Sequence, residues 1–440
     1  MAERKQAPEV ARPAGKTRLI EIGKSLLIVV LACSAVFLVA QTSLITQLRE
    51  WMAEPVQTAD PANRQPEEAV MPYLAAVRSE WGMYGAAYDK ETVNRTFTAV
   101  QSFLGEGLAT AGSAEKITER RWRALLESPG IYCAFQGSPP LSVLSSWLGG
   151  GGELTGDAQA LLMAWDGTAV WLCWRDESNY WAAQTQVAYE GHLQMAIGKY
   201  SPNGMAFAYE MKTSDEVYGT LDPYVMVSMT AFRPVVYDAE TPAFLENEEN
   251  LKKLLNALGF QTSGNSAYEM PEGLHISEGT DRLRVKRDGT IIFHAGEEGR
   301  YPVPAAGETP TCSEAVLTAW ELLNRVSSEW EGEGTFVLAR AETEKNGWVI
   351  TFSYRLNGIP VLTGEDGWAA QFTVEEGEIR DFTIKLRTYT ATGSAASVPR
   401  ERLAAAAMKA LKNTDGRLIL CYSDTGAESI RAEWVAQTED

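Results

Sequence analysis

The run SLLIVVLACSAVFLVAQTSLI, from Ser25 to Ile45, holds 21 residues without a charge. At helical rise it spans roughly 30 Å, the thickness of a bilayer hydrocarbon core. A secretory signal would need a shorter apolar core and a small-residue cleavage site, and the nearest candidate, Leu38-Val39-Ala40, puts leucine where a small side chain is required. Val30-Leu31-Ala32-Cys33 has the form of a lipoprotein box, yet the apolar run continues from Ala35 to Val39, where a lipid-anchored chain turns polar. The expected state is therefore an uncut transmembrane helix. Arg4, Lys5, Arg12, Lys16, Arg18 and Lys24 precede it, whereas the 20 residues after Ile45 hold only Arg49 and Arg64. By the positive-inside rule this is a single-pass cell-membrane protein with a cytoplasmic N-terminus and an extracytoplasmic bulk.

The first 24 residues carry six basic and three acidic side chains, a net +3, so the remainder carries −22 against the total of −19. Such acidity speaks against nucleic acid as a partner, and against binding anionic lipid or wall polymer through overall charge. Cys133, Cys173, Cys312 and Cys421 are even in number, which allows one or two disulfides in an oxidising space, but their wide spacing and mostly apolar surroundings favour buried free thiols.

Period and turn chemistry divide the chain into a cytoplasmic tail (1–24), the membrane helix (25–45), a proline-containing stalk (46–70) and three folded units (71–235, 236–309 and 310–440). In the first unit, a helix is expected over ETVNRTFTAVQSFLGEGLATAG and another over SAEKITERRWRALLESPG, capped by Ser113. Strands follow in ALLMAWDGTAVWLCW, with Asp166-Gly167 as a two-residue hairpin turn, and in YWAAQTQVAY. The second unit opens with a helix capped by Thr241, with Leu251, Leu254, Leu255 and Leu258 on one face and Gly259 past its end; Asp288-Gly289 then turns a hairpin. The third repeats the plan. Its helix over Ser313 to Trp330 buries Val316, Leu317, Trp320, Leu323 and Val326, and its hairpins turn at Asn357-Gly358 and about Glu376-Gly377. The expected class is α+β: a membrane helix followed by extracytoplasmic helix-plus-antiparallel-sheet domains.

No catalytic set emerges. Ser113-Ala114-Glu115-Lys116 has the Ser-x-x-Lys spacing of penicillin-recognising enzymes but lacks their Ser-Asp-Asn and Lys-Thr-Gly partners. His192, His275 and His294 stand without a second ligand at metal-binding spacing, although His275 and His294 could face each other on neighbouring strands. The acidic pairs Glu248-Glu249, Glu297-Glu298 and Glu375-Glu376 fall at helix starts and turns, and none forms a calcium loop. No cofactor or metal is expected. Trp165, Trp320 and Trp348 occupy inward-pointing periods, which favours core packing over sugar stacking.

The stretch GIYCAFQGSPPLSVLSSWL, behind a stalked anchor, together with LRVKRDGTIIFHA, ITFSYRLNGIPVL and IRAEWVA, resembles the YycH family, membrane-anchored regulators of the WalK sensor histidine kinase. The last two stretches resemble the C-terminal module that the family shares with its companion YycI. The resemblance implies one transmembrane helix, no enzymatic activity, and a complex with a YycI-like companion and a WalK-like kinase. In such a complex Ser25, Ala32, Ser34, Ala35 and Ala40 offer the small-residue surface through which membrane helices pack. The expected function is non-enzymatic regulation of a kinase that controls the cell envelope; an envelope-anchored hydrolase and a wall-carbohydrate or ligand-binding protein are the alternatives. The tryptophan-rich first unit and the four exterior cysteines depart from the family pattern.

Overall fold

The computed structural model describes residues 65–440, apart from 153, 214, 229–231, 261–264, 298, 331, 411–415 and 439–440. The expected membrane helix, with Ser25, Ala32, Ser34, Ala35 and Ala40, lies outside the described residues, as does the stalk up to residue 64. Among the described residues no helix is long and apolar enough to cross a membrane. The class is α+β, and its sheets are predominantly antiparallel.

Seven strands form the first sheet: β1 (Leu74–Ser79), β2 (Gly82–Ala87), β3 (Glu115–Ile117), β4 (Gly130–Ala134), β5 (Ala160–Trp165), β6 (Val170–Arg175) and β7 (Tyr180–Gln184), in the order β2-β1-β4-β5-β6-β7-β3. Helix α1 (Lys90–Thr110) lays Val93, Phe97, Val100, Leu104 and Leu108 on one face, against Ile131, Cys133, Leu161 and Met163. The other face carries Tyr132, Leu162 and Ala164 under helix α2 (Glu119–Leu126) and the short pair β8 (Ala206–Phe207) and β9 (Met226–Val227). Because both faces are covered, β4 and β5 read as unbroken apolar runs. Ser113 does not cap a helix. Glu115–Ile117 instead pair with β7 at the sheet edge, so the cap moves on to Thr118, whose hydroxyl accepts from the Arg121 amide at 3.2 Å.

Between β4 and β5 the chain forms helix α3 (Leu141–Trp147), and after β9 come strand β10 (Val235–Glu240) and helix α4 (Glu248–Ala257). The expected cap Thr241 gives way to Asn247, which accepts from the amides of Glu249 and Asn250, because the Thr241 hydroxyl is taken by Arg387 at 2.8 Å. Leu251, Leu254, Leu255 and Leu258 are buried, and Gly259 closes the helix at φ +65°.

A meander follows: β11 (Asn265–Met270), β12 (Gly273–Glu278), β13 (Asp281–Lys286) and β14 (Thr290–His294). Helix α5 (Cys312–Ser327) starts at a Thr311–Glu314 capping box and buries Val316, Trp320, Leu323 and Val326, with Leu317 half-buried. Beyond it run β15 (Thr335–Glu344), β16 (Gly347–Leu356), β17 (Ile359–Thr363), β18 (Ala370–Glu375), β19 (Glu378–Lys385) and β20 (Thr388–Ala395). Helix α6 (Glu401–Ala410), β21 (Gly416–Asp424), β22 (Ser429–Ile430) and β23 (Ala432–Thr438) complete the chain. The row Phe293, Phe382, Phe372 and Ile350 crosses β14, β19, β18 and β16 in register, so the meander and the C-terminal strands form a single eleven-stranded sheet.

Turn chemistry separates the hairpins. Asn357-Gly358 (φ 45° and 84°) and Glu376-Gly377 (φ 52° and 82°) are two-residue turns with both residues left-handed, the geometry that suits strand twist. The Asp166 hairpin is longer than expected, with four residues between Trp165 and Val170. Its carboxylate accepts from the Thr168 and Ala169 amides and from the Trp171 indole at 2.9 Å. Asp176 braces the next turn identically through Trp181 at 3.0 Å. An aspartate that caps its own loop and then clamps a tryptophan five residues on therefore repeats in successive hairpins.

Strand β10 pairs with β20 and β22, and a buried ion pair ties this small sheet to the large one. Arg387 donates from Nε (2.9 Å) and Nη2 (3.3 Å) to Asp424, and further to the Ala239 and Ala427 carbonyls. The Tyr389 hydroxyl also donates to Asp424 at 2.9 Å. Removing one partner strands the other charge in the core, so Asp424→Ala is expected to lose about 3–5 kcal/mol in denaturant unfolding. Replacing both partners together with apolar side chains is expected to lose less.

Candidate functional site

The chain enters the described structure between the two sheets. Pro66–Val70 form a 3-10 turn with Ala69 and Val70 each 1% exposed, in contact with α3, α5 and β15. The carbonyls of the next two residues, Met71 and Pro72, both accept from Arg355 Nη1 of β16, at 2.8 and 3.0 Å. Gln136, which follows β4, accepts from Arg355 Nε at 3.3 Å and donates to the Tyr354 carbonyl at 3.1 Å. Next to it Gly137, at φ +101°, lies so close to β15 that an added Cβ would sit 2.3 Å from the Ala339 oxygen. The Ser138 amide donates to that same oxygen.

Alternation along β16 assigns Thr351, Ser353 and Arg355 to the polar face, yet all three are buried. No carboxylate forms an ion pair with Arg355 among the described residues; its acceptors are carbonyl and amide oxygens. Burial consequently lowers its pKa to about 10. Beside it, burial raises the Tyr73 phenol to about 12. A second tie crosses the junction farther along: Ala208, Tyr218, Leu221 and Val225 pack against Ala404, Ala405 and Met408 of α6, with Asp215 paired to Arg402 at 2.8 Å.

An open groove of about 720 Å³ lies at the same junction, where the first turns of α1 meet the β16–β17 turn, lined by Lys90, Glu91, Asn94, Arg95 and Asn357. The Lys90 amide donates to Asn357 Oδ1 at 3.2 Å, and Asp89 caps α1 through the Thr92 amide. The Lys90 ammonium donates to the Thr335 hydroxyl at 3.0 Å, and Thr98 and Ala99 complete the lining.

The other singled-out residues are scattered. His192 pairs with Glu106 at 2.8 Å, His294 with Asp381, and His275 with Glu272 at 3.6 Å. His275 and His294 are not on neighbouring strands, since β13 runs between theirs. Among the described residues no group of three or more His, Cys, Asp or Glu side chains is placed to hold a metal. The four described cysteines are free, and Cys133 and Cys173 face opposite sides of the first sheet, which precludes a bridge between them. Burial holds the Cys312 thiol at about 11 and Cys421 at about 12, the reverse of an activated nucleophile. Trp320 is buried, Trp165 stacks on Tyr189 at 4.7 Å and Trp348 is half-buried. Trp81, at the β1–β2 turn, is 83% exposed; it escaped sequence analysis because a lone tryptophan in a short turn carries no period.

No family model matches the chain, and no curated protein matches it. Among solved structures, the crystal structure of YycH from Bacillus subtilis is similar, with a TM-score of 0.53 over 87% of this chain and 97% of that one, at 10% sequence identity. The likeness is one of fold: the chain has a YycH-like architecture over most of its length.

Two outcomes test the junction. Arg355→Met leaves the Met71 and Pro72 carbonyls without their donor, at about 1–3 kcal/mol for each group left unpaired. Hydrogen exchange at residues 67–71 is expected to accelerate more than exchange in α4. Alkaline titration has a definite sign as well. Tyr73 and Tyr237 are raised from 10 to about 12, so the unfolded chain ionises first and their contribution, complete below pH 10, is lost between pH 10 and 12. Arg355 acts oppositely over the same window, but the buried tyrosines Tyr88, Tyr132 and Tyr389 are raised too. Urea unfolding at stepped pH is expected to show stability declining above pH 10.

Proposed function

We propose that this protein is a single-pass, membrane-anchored, non-enzymatic regulator of a WalK-like sensor histidine kinase, acting from the extracytoplasmic side with a YycI-like companion. The observation that carries the reading is the YycH-like fold spanning 87% of the chain. The 21-residue uncharged run at Ser25–Ile45 and its basic N-terminal flank support the anchor and its orientation. In this reading Ser25, Ala32, Ser34, Ala35 and Ala40 let the helix pack closely against the membrane helices of its partners.

The junction suggests how the exterior reports to the membrane. At the end of the stalk the chain is gripped between two sheets, by Ala69 and Val70 in the core and by Arg355 on the following carbonyls. A pull transmitted through the stalk is therefore opposed by both modules together. The regulator biases the kinase between two helix arrangements by as much as its affinity for them differs.

The test is co-purification from detergent-solubilised membranes of the native host, with the full chain and with a chain lacking residues 1–45. A sensor kinase recovered with the full chain and lost with the shortened one is the expected outcome; recovery of no kinase with either chain overturns the reading. Arg355→Met in the full chain is expected to preserve recovery of the kinase while changing its autophosphorylation, because the substitution loosens the grip and leaves the membrane helix intact.

A further inference from the structure

The outer face of the β11–β14 meander departs from the charge of the chain. On β13 Leu283 and Val285 point into the core, each 0% exposed, so the alternating Arg282, Arg284 and Lys286 share the opposite face. Register sets Tyr268, His275, Arg284 and Ile292 side by side across the four strands, and Arg282 beside His294. Arg282, Arg284, Ile292 and His294 line a cleft of about 240 Å³.

The acids nearby are already engaged. Glu278 and Asp281 hold Arg300 at 2.9 and 2.7 Å, Glu269 holds Arg287, Asp381 holds His294, and Asp366 holds Lys385. Arg282, Arg284 and Lys286 take part in no ion pair among the described residues, although the chain has 58 acidic side chains against 39 Lys and Arg. On the same face of edge strand β11, Tyr268 and Met270 are 48% and 39% exposed.

From this we infer that the meander face is a docking surface for an anionic phospholipid bilayer. A soluble polyanion would be matched by charge alone; unpaired cations flanked by an exposed tyrosine and methionine match a surface with anionic headgroups above an apolar layer. The chain's acidity then works as an orienting force, since an anionic membrane repels the other faces and accepts this one. The inference rests on the membrane-anchored reading for the chain's proximity to lipid. About 20 residues (46–65) separate the expected membrane helix from the packed structure, a tether that fully extended reaches about 65 Å.

The experiment is hydroxyl-radical footprinting of the full chain in vesicles of phosphatidylcholine alone or mixed with phosphatidylglycerol, with Trp81 and Met195 as exposed reporters on the other module. The expected result is that oxidation of Met270 and Tyr268 slows only with the anionic lipid, while the reporters are unchanged. Each cation removed weakens such attraction about fivefold, so Arg282→Gln with Arg284→Gln is expected to abolish the protection. Both substitutions are at exposed positions, and continued protection of the buried Phe293 and Phe382 from oxidation verifies the fold of the meander. Equal protection in phosphatidylcholine, no protection, or protection that survives the double substitution overturns the inference. An alkaline wash of the same vesicles reports the anchor separately: a retained chain without protection defeats the docking face alone, and a chain washed away defeats the anchor while the footprint still decides the face.

Discussion

The arrangement of the two sheets turns on a buried guanidinium held by main-chain oxygens. Taking a charge out of water carries a penalty of several kcal/mol, and in most proteins a carboxylate offsets it. At Arg355 the offset comes from the carbonyls of Met71 and Pro72 and from the Gln136 side chain. Those oxygens belong to the first module and the arginine to the second, so neither is satisfied unless the modules are docked. The arrangement makes docking strongly directional. A sliding of one module by a residue would strand a charge, whereas an apolar interface could absorb the same shift by repacking.

The same tip of β16 leads into the second buried charge. Tyr354, next to Arg355, accepts from the Arg387 amide at 3.3 Å and packs edge-on against Tyr389, whose hydroxyl donates to Asp424. Arg387 in turn holds the β10 carbonyl of Ala239. The segment at Met71–Pro72, the large sheet and the small sheet are thus joined by consecutive polar contacts through a close-packed core. Such cores favour a few discrete arrangements over continuous deformation.

Local signals were legible where the chemistry is local. The left-handed pairs at Asn357-Gly358 and Glu376-Gly377, and the leucine face of α4 closed by Gly259, follow from residues within a turn or two of one another. Two caps were misplaced for non-local reasons: Thr241 is claimed by an arginine 146 positions away, and the segment after Ser113 is claimed by the edge of a sheet completed at residue 184. Arg355 is the third polar residue, after Thr351 and Ser353, on one face of an alternating strand, but its acceptors lie 284, 283 and 219 positions away, beyond the reach of periodicity. Alternation identified its face correctly. It could not reveal that another module covers that face.

Charge was the least legible property, because a sum conceals an arrangement. Many of the acidic side chains are engaged in turns, caps and cross-strand pairs, as at Asp166, Asp176, Asp281 and Glu314. What remains exposed on a given face depends on register, and a strand shifted by one residue would bury Arg282 and Arg284 and expose Leu283 and Val285. The pairing of Leu283 with Ile276 on one side and Phe293 on the other prevents that slip, since all three are core residues. The apolar interior of the meander therefore determines the electrostatics of its outer surface.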